Sequence, residues 1–124
     1  MTAADAPHAA QAGRLLAMLA ALSGALAVAA GAFGAHGAVG QAAEWLRTGG
    51  HYQLAHALAA LVALRMGARG PGWAFVVGAA VFALTLYAMA LGAPHWLGAV
   101  TPIGGATMIG GWLWLAVHAA RGRG

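Results

Sequence analysis

The composition of this 124-residue chain excludes an ordinary soluble domain. Hydrophobic residues make up 62% of the chain and charged residues only 6%, whereas about a quarter of the residues in a soluble domain are charged. Because so little charge cannot cover a water-soluble surface, the composition and the mean hydropathy of +0.78 predict an integral membrane protein.

The charge pattern and the absence of cysteine exclude further classes. The formal net charge is +4, but the arginines stand singly without a basic run, so we expect no nucleic-acid partner. A chain without cysteine has no disulfide, thiolate nucleophile or cysteine metal ligand. The 20 glycines are typical of helices that pack closely in lipid.

The N-terminal third predicts a tail followed by a membrane span. Residues 1–13 are polar and rich in Ala, and we expect a disordered cytoplasmic tail. Residues 15–33 contain no charge, and nineteen helical residues extend about 28 Å, close to the hydrocarbon thickness. The alternative is a cleavable signal peptide with Arg14 as its charged region and residues 15–30 as its core. We favour a retained span, because the apolar run is longer than a signal core usually needs.

The second predicted span is short unless it extends toward the N-terminus. Residues 52–66 are apolar, and the preceding residues back to 41 are compatible with a helix. We expect one long helix with Gly49 and Gly50 as a weak point, because glycine disfavours helix interiors.

Two further spans follow in the second half of the chain. Residues 73–91 are uncharged and follow the Gly-Pro-Gly turn signal at 70–72. The last span, residues 102–120, begins where Thr101 can cap a helix and Pro102 suits its first position. We expect residues 14–121 to form one all-α domain, an integral membrane four-helix bundle.

The distribution of arginines predicts the orientation of this bundle. If four helices alternate in direction, one side carries Arg14, Arg65, Arg69, Arg121 and Arg123. The other side carries Arg47, near Glu44. Positive residues favour the cytoplasmic side, so we expect both termini in the cytoplasm.

Short motifs spread along the chain resemble those of a known family. They are Gly31-Ala32-Phe33-Gly34-Ala35-His36, Trp45, Tyr52-Gln53, His56-Ala57-Leu58, Trp96-Leu97-Gly98, Thr101-Pro102-Ile103-Gly104-Gly105 and Gly111-Trp112. Together they resemble the domain of unknown function 423 family, whose animal relatives are called transmembrane protein 256. The resemblance covers residues 15–115 and implies a small four-helix membrane protein found in bacteria, with relatives in eukaryotes. It does not indicate a biochemical activity. We expect the bacterial inner membrane as its location. The chain departs from it at Gly49-Gly50 and at Thr85, where we expect serine.

Small residues predict where the helices pack. The predicted packing residues are Gly24, Ala27, Gly31 and Ala35 on the first helix and Gly104, Gly105, Gly110 and Gly111 on the fourth. Small residues at four-residue spacing allow two helices to approach closely in lipid. A substrate passage along the glycine backbone is the functional alternative.

The most prominent candidate site is a polar cluster of His36, Tyr52, Gln53 and His56. Tyr52 and His56 lie one turn apart on one helix face, and His36 follows the end of the first helix. We expect the four side chains to meet near the outer leaflet and to fasten the second helix to the first, because unpaired polar groups are costly in hydrocarbon.

Ligand binding by the histidines is the alternative to this structural role. Haem would require His36 or His56 together with His118, although their predicted depths disagree. A divalent metal could be held by His36, His51 and His56, although no further ligand pattern supports it. We therefore expect neither a cofactor nor a metal.

The remaining polar residues indicate no catalytic site. Glu44 and Arg47 have the i,i+3 spacing of an exposed interfacial ion pair, with a proton relay through His51 as the alternative. Ser23 and Thr85 lie in apolar spans without a base and a carboxylate at hand, so no catalytic triad can form. We expect the protein not to be an enzyme.

Two functional classes remain open. The first is a non-catalytic component of the membrane, which contacts the lipid bilayer and packs against a larger membrane complex or a second copy. The second is a carrier or channel for a small solute or for protons, acting as an oligomer. The absence of a charged residue deep in a span favours the first class.

Overall fold

The computed structural model describes residues 2–122 and contains four long helices. They are α1 (Ala6–His36), α2 (Gly40–Arg65), α3 (Arg69–Ala90) and α4 (Thr101–Ala120). A short 3₁₀ helix, His95–Ala99, precedes α4, and no strand occurs within residues 2–122. The predicted all-α membrane bundle is confirmed. Met1 of the predicted tail and Arg123 of the orientation argument lie outside the described residues.

Within residues 2–122, three helical segments are long and apolar enough to cross a membrane. They are α1, α3 and the segment His95–Ala120, which includes α4. Helix α2 also has 26 residues, but polar side chains lower its hydropathy. The loops on either side of α2, residues 37–39 and 66–68, are short, and α2 packs along both α1 and α3. It therefore runs beside the two apolar helices.

The first helix begins earlier than predicted. Residues 6–13, expected to be part of a disordered tail, continue α1 toward the N-terminus. Pro7 lies in the first turn, where its missing N–H costs nothing. Arg69 donates a hydrogen bond from Nη1 to the carbonyl oxygen of Ala9 at 2.8 Å, which joins the start of α3 to the first turns of α1. The local sequence could not indicate this long-range contact.

Helix α2 is continuous through the glycine pair that we expected to be a weak point. A methyl group placed on Gly50 would lie 2.9 Å from the carbonyl oxygen of Ala27 and 3.2 Å from the nitrogen of Gly31. A methyl group on Gly49 would lie 2.6 Å from Cε1 of Tyr87. Successive residues of a helix point about 100° apart. Gly50 therefore allows close contact with the backbone of α1, and Gly49 allows close contact with the Tyr87 side chain of α3.

The packing face of α1 differs from the predicted face at its C-terminal end. Ala35 is exposed, whereas Gly34 is buried, and a methyl group on Gly34 would lie 3.0 Å from Cβ of Leu46. Near the middle, Gly24 is in ordinary contact distance of Ala57. A strict four-residue repeat drifts by about 40° per step around a helix of 3.6 residues per turn, so the contact moves to Gly34.

Helix α4 packs on α3 through two of its four glycines. A methyl group on Gly104 would lie 2.6 Å from the carbonyl oxygen of Gly78, and one on Gly111 would lie 2.9 Å from Cε1 of Phe75. Both glycines are buried and are seven residues apart, so they occupy the same face of α4. The two backbones approach so closely at Gly104 that a side chain there would overlap backbone atoms of α3, and a methyl group on Gly78 would lie at a tight 3.0 Å from the carbonyl oxygen of Gly104.

The other two predicted packing glycines of α4 do not take part in this contact. A methyl group on Gly105 would come no nearer than 3.9 Å to Phe82, an ordinary contact. A methyl group on Gly110 would meet no other described atom within 4 Å, and Gly110 is exposed. The contact with α3 is made by Gly104 and Gly111, seven residues apart, and the neighbouring Gly105 and Gly110 are not needed for it.

We expect Gly104→Ala to destabilise the bundle by about 1–3 kcal/mol, because the added methyl group must separate the backbones of α3 and α4. Gly110→Ala is the matched control, since the same methyl group enters open space and alanine favours a helix. Denaturant titration in detergent, monitored by helical circular dichroism, measures both. Equal effects of the two substitutions would contradict the proposed close contact.

Candidate functional site

A hydrogen bond joins the buried centre of α2 to α3. The hydroxyl group of Tyr87 donates to Oε1 of Gln53 at 2.7 Å. Only 2% of Gln53 and 7% of Tyr87 are exposed. An amide and a phenol in hydrocarbon each need a partner, and here the phenol hydroxyl and the amide oxygen satisfy each other. This bond fixes the rotation of α2 against α3.

A second hydrogen bond joins α2 to α4. Trp112 donates from Nε1 to Nε2 of His56 at 3.0 Å. Because an indole nitrogen only donates, Nε2 of His56 must be the unprotonated acceptor. The proton of the neutral ring is then on Nδ1, which lies 2.7 Å from the carbonyl oxygen of Tyr52 and donates to it. Both ring nitrogens of His56 are therefore used in a single tautomer.

Aromatic rings surround this histidine on two sides. The ring centre of His56 lies 5.6 Å from that of Phe75 and 5.8 Å from that of Trp112, both in edge contacts. Phe75 and Trp112 lie 4.7 Å apart and close the third side of the triangle. Phe75 is fully buried on α3. The three rings form the junction of α2, α3 and α4.

A groove opens beside this junction, between α2 and α4. Its volume is about 460 Å³. Tyr52 lines it from α2 and contacts the ring of Phe82 at 5.1 Å, while Met108 and Ile109 line it from α4. Helix α4 packs mainly on α3, so it leaves this side of α2 partly uncovered. The groove is mostly apolar and faces the lipid.

Two threonines join the C-terminal part of α3 to the start of α4. The hydroxyl oxygens of Thr85 and Thr101 lie 2.6 Å apart. Thr85 also lies 2.9 Å from the carbonyl oxygen of Val81, and Thr101 lies 3.3 Å from that of Leu97. Thr101 forms no capping hydrogen bond at the start of α4. Its expected capping role is therefore wrong, and its hydroxyl group contacts α3.

The predicted polar cluster differs from the observed contacts in its partners. His36 is exposed at the end of α1 and forms no side-chain hydrogen bond within residues 2–122. Gln53 and His56 bond to α3 and α4, because the backbones of α1 and α2 are too close at Gly50 to admit large polar side chains. His56 lies nine residues from Arg65, about 14 Å along the helix.

The two residues that pair with this cluster could not be identified from the sequence. Tyr87 and Trp112 were assigned no bonding role, although a phenol or an indole in an apolar span usually needs an acceptor. That requirement was the available signal. It could not identify which acceptor each of them would meet, because the contact pairs lie 34 and 56 residues apart along the chain.

Glu44 and Arg47, the predicted interfacial ion pair, lie near each other in the N-terminal part of α2. Nη1 of Arg47 lies 3.5 Å from Oε1 of Glu44, and both side chains are more than half exposed. At this distance and exposure the pair contributes little to stability.

The remaining histidines lie apart from one another. Nε2 of His118 lies 3.0 Å from the carbonyl oxygen of Met66, where it joins the end of α4 to the end of α2. His51 is exposed near Arg47 and contacts the ring of Tyr52. Within the described part of the chain, no three His, Asp or Glu side chains converge as metal ligands would.

The fold and these contacts define a small multi-pass helical membrane protein whose polar residues join its helices. Residues 30–105, which include all of α2 and α3, match the family described as "Protein of unknown function (DUF423)". This match covers more than half of the chain. The chain belongs to this family, and the resemblance seen in the motifs is confirmed.

Two curated relatives share part of this sequence. A UPF0382 membrane protein of Haemophilus influenzae is 37% identical over 82 residues, which are 61% of this chain and 66% of the relative. A UPF0382 membrane protein of Staphylococcus haemolyticus is 34% identical over 73 residues, which are 54% of this chain and 60% of the relative. The matched part spans less than two thirds of either relative. No solved structure matches the chain significantly.

We expect His56 and Trp112 to be energetically coupled. His56→Ala and Trp112→Phe should each destabilise the bundle by about 1–2 kcal/mol, because each leaves a polar partner unpaired in hydrocarbon. In the double variant the coupling energy should be about 0.6–2 kcal/mol. His56→Gln should be milder, since an amide can both accept and donate.

Thermal unfolding in detergent measures these changes, and exposed His51→Ala serves as the control. Metal analysis and a visible spectrum of the same samples test the haem and metal alternatives. Additive effects of the two single substitutions would show that the bond is unimportant. Loss of a bound cofactor with unchanged melting would show that His56 is a ligand.

Proposed function

We propose that this protein is a non-catalytic accessory component of the bacterial inner membrane that packs against a larger membrane complex. The use of both ring nitrogens of His56 within the bundle supports this most strongly. Gln53 is likewise paired with Tyr87. The side chains of His56 and Gln53 are thus occupied in joining helices. Such groups are the usual means of proton or solute transfer within a span.

The positions of the carboxylates also favour a non-catalytic role. Asp5 and Glu44 are the two acidic residues of the chain, and both are exposed toward its water-facing ends. Hydrogen bonds from the backbone N–H and the hydroxyl group of Thr2 lower the pKa of Asp5, so it is charged at neutral pH. The hydroxyl groups of Ser23 and Thr85 lie in helices, where no carboxylate is available to orient a catalytic base.

The outer surface of α4 is the surface that we propose for the partner complex. Helix α4 packs mainly on α3, so most of its circumference is uncovered. Its large exposed apolar residues are Ile103, Ile109, Trp112, Leu113, Trp114 and Val117. This surface contacts lipid in the isolated protein and is wide enough to receive a helix of another membrane protein or of a second copy.

A carrier or channel for a small solute or for protons remains the alternative. The groove of about 460 Å³ between α2 and α4 favours it, because His56 and Tyr52 line this groove. Transport through it would require α4 to move relative to α2. An oligomer would then be needed to enclose the pathway, since the groove faces the lipid.

We expect both termini to be cytoplasmic, with five arginines on their side of the membrane and one on the other. A reporter enzyme that is active only outside the cytoplasm, fused to the C-terminus, should give no signal. The same reporter inserted in the loop between α1 and α2 should be active and serves as the control. The reverse pattern would overturn the orientation.

We expect the protein to co-purify with a larger membrane protein at a fixed ratio in mild detergent. Leu113→Trp should release that partner, because a larger side chain on the outer face of α4 obstructs helix contact. Leu22→Trp, at a similarly exposed site on α1, is the matched control. Affinity purification with quantitative mass spectrometry measures the ratio. A wild-type chain that purifies alone and carries solute flux in vesicles would support the carrier alternative.

A further inference from the structure

A second groove lies between α1 and α2, on the opposite side of α2 from the one described above. Its volume is about 510 Å³. Small residues form its floor, among them Ala27 and Gly31 on α1 and Gly50 on α2. Because the backbones touch at Gly50, the floor is shallow but closed. A methyl group on Gly31 would meet no other described atom within 4 Å, so the groove is open above this residue.

The groove is cationic at one end and apolar along its length. Arg47 and His51 line the end and lie one helical turn apart, and both are exposed. Val28 and Leu54 line the part that runs toward the middle of the membrane. The long contact of 3.5 Å between Arg47 and Glu44 uses one nitrogen of the guanidinium group, which has five N–H donors in all.

The residues that line this groove extend along α2 by about the distance between the headgroup and the acyl chains of one phospholipid. Arg47 lies 18 residues from Arg65, about 27 Å along the helix, and a hydrocarbon core is about 30 Å thick. Arg47 and Arg65 therefore lie near opposite headgroup layers. Leu54 lies seven residues deeper than Arg47, about 10 Å along the helix, at the level of the acyl chains.

We propose that the groove between α1 and α2 binds an anionic phospholipid. Its phosphate is held by Arg47 and His51, and one acyl chain lies over Gly31 and beside Leu54. A guanidinium group can donate two parallel hydrogen bonds to a phosphate. Glu44 opposes the negative headgroup, so the phosphate must replace or share its contact with Arg47. A soluble anion would use the cationic end only, whereas a lipid uses the whole groove.

Lipid titration of the purified full chain tests this proposal. Native mass spectrometry in neutral detergent can compare phosphatidylglycerol with phosphatidylcholine carrying the same acyl chains. We expect phosphatidylglycerol to bind about tenfold more tightly, the difference that one charge-assisted contact can supply. Glycerol phosphate, which has the phosphate without acyl chains, should not compete at equal concentration.

Four variants separate the two ends of the groove. Arg47→Gln should reduce the preference for phosphatidylglycerol about tenfold, whereas Arg65→Gln at the other membrane face should leave it unchanged. Gly31→Leu should fill the groove and weaken both lipids, whereas Gly110→Leu, at an equally open glycine of α4, should not. Helical circular dichroism and melting confirm that each variant is folded.

Several results would overturn the proposal. Equal affinity for the two lipids would exclude headgroup recognition, and competition by glycerol phosphate would reduce the site to a surface anion contact. Equal effects of Gly31→Leu and Gly110→Leu would exclude the acyl groove. A change in the oligomeric state of Gly31→Leu, measured by light scattering, would show that a second copy occupies the groove. None of these results depends on whether α4 binds an accessory partner.

Discussion

Close contact between helix backbones is the constraint on which the rest of the bundle depends. Lipid supplies little hydrophobic drive for helix association, so packing relies on close approach and on polar pairs. The contact of α2 with α1 at Gly50 and the contact of α4 with α3 at Gly104 provide that approach. In each case a glycine on one helix meets backbone atoms of the other. These contacts determine which faces of α2 and α3 are left for larger side chains.

The polar residues of α2 occupy the faces that the glycine contacts leave free. Because Gly49 has no side chain, the ring of Tyr87 can lie against α2. From that position the Tyr87 hydroxyl group reaches Gln53, one turn further along the same helix. The missing side chain at one position thus permits the hydrogen bond at the other. A departure from the family pattern at Gly49 and Gly50 becomes a structural requirement of this bundle.

The sequence predicted the helices better than it predicted their partners. Uncharged stretches of nearly twenty residues identify spans, because few other structures bury so many apolar groups. The spacing of Tyr52 and His56 correctly indicated a shared helix face, but spacing within one helix contains no information about the neighbouring helix. The neighbours of this face are Tyr87 and Trp112, which lie far away in the sequence and are brought to it by the packing of the helices. The shift from Ala35 to Gly34 has the same origin, since a small-residue repeat identifies a face to within about one residue.

The tautomer of His56 determines which structural change proton transfer would require and an accessory role would not. A proton arriving at Nε2 would remove the acceptor that Trp112 uses in this arrangement, since both groups would then be donors. Proton transfer through His56 would therefore have to break the bond between α2 and α4 and widen the groove between them. An accessory protein needs no such opening, and its α2 and α4 can stay joined throughout. The two functions thus differ in a single structural requirement, the opening of the bond between His56 and Trp112.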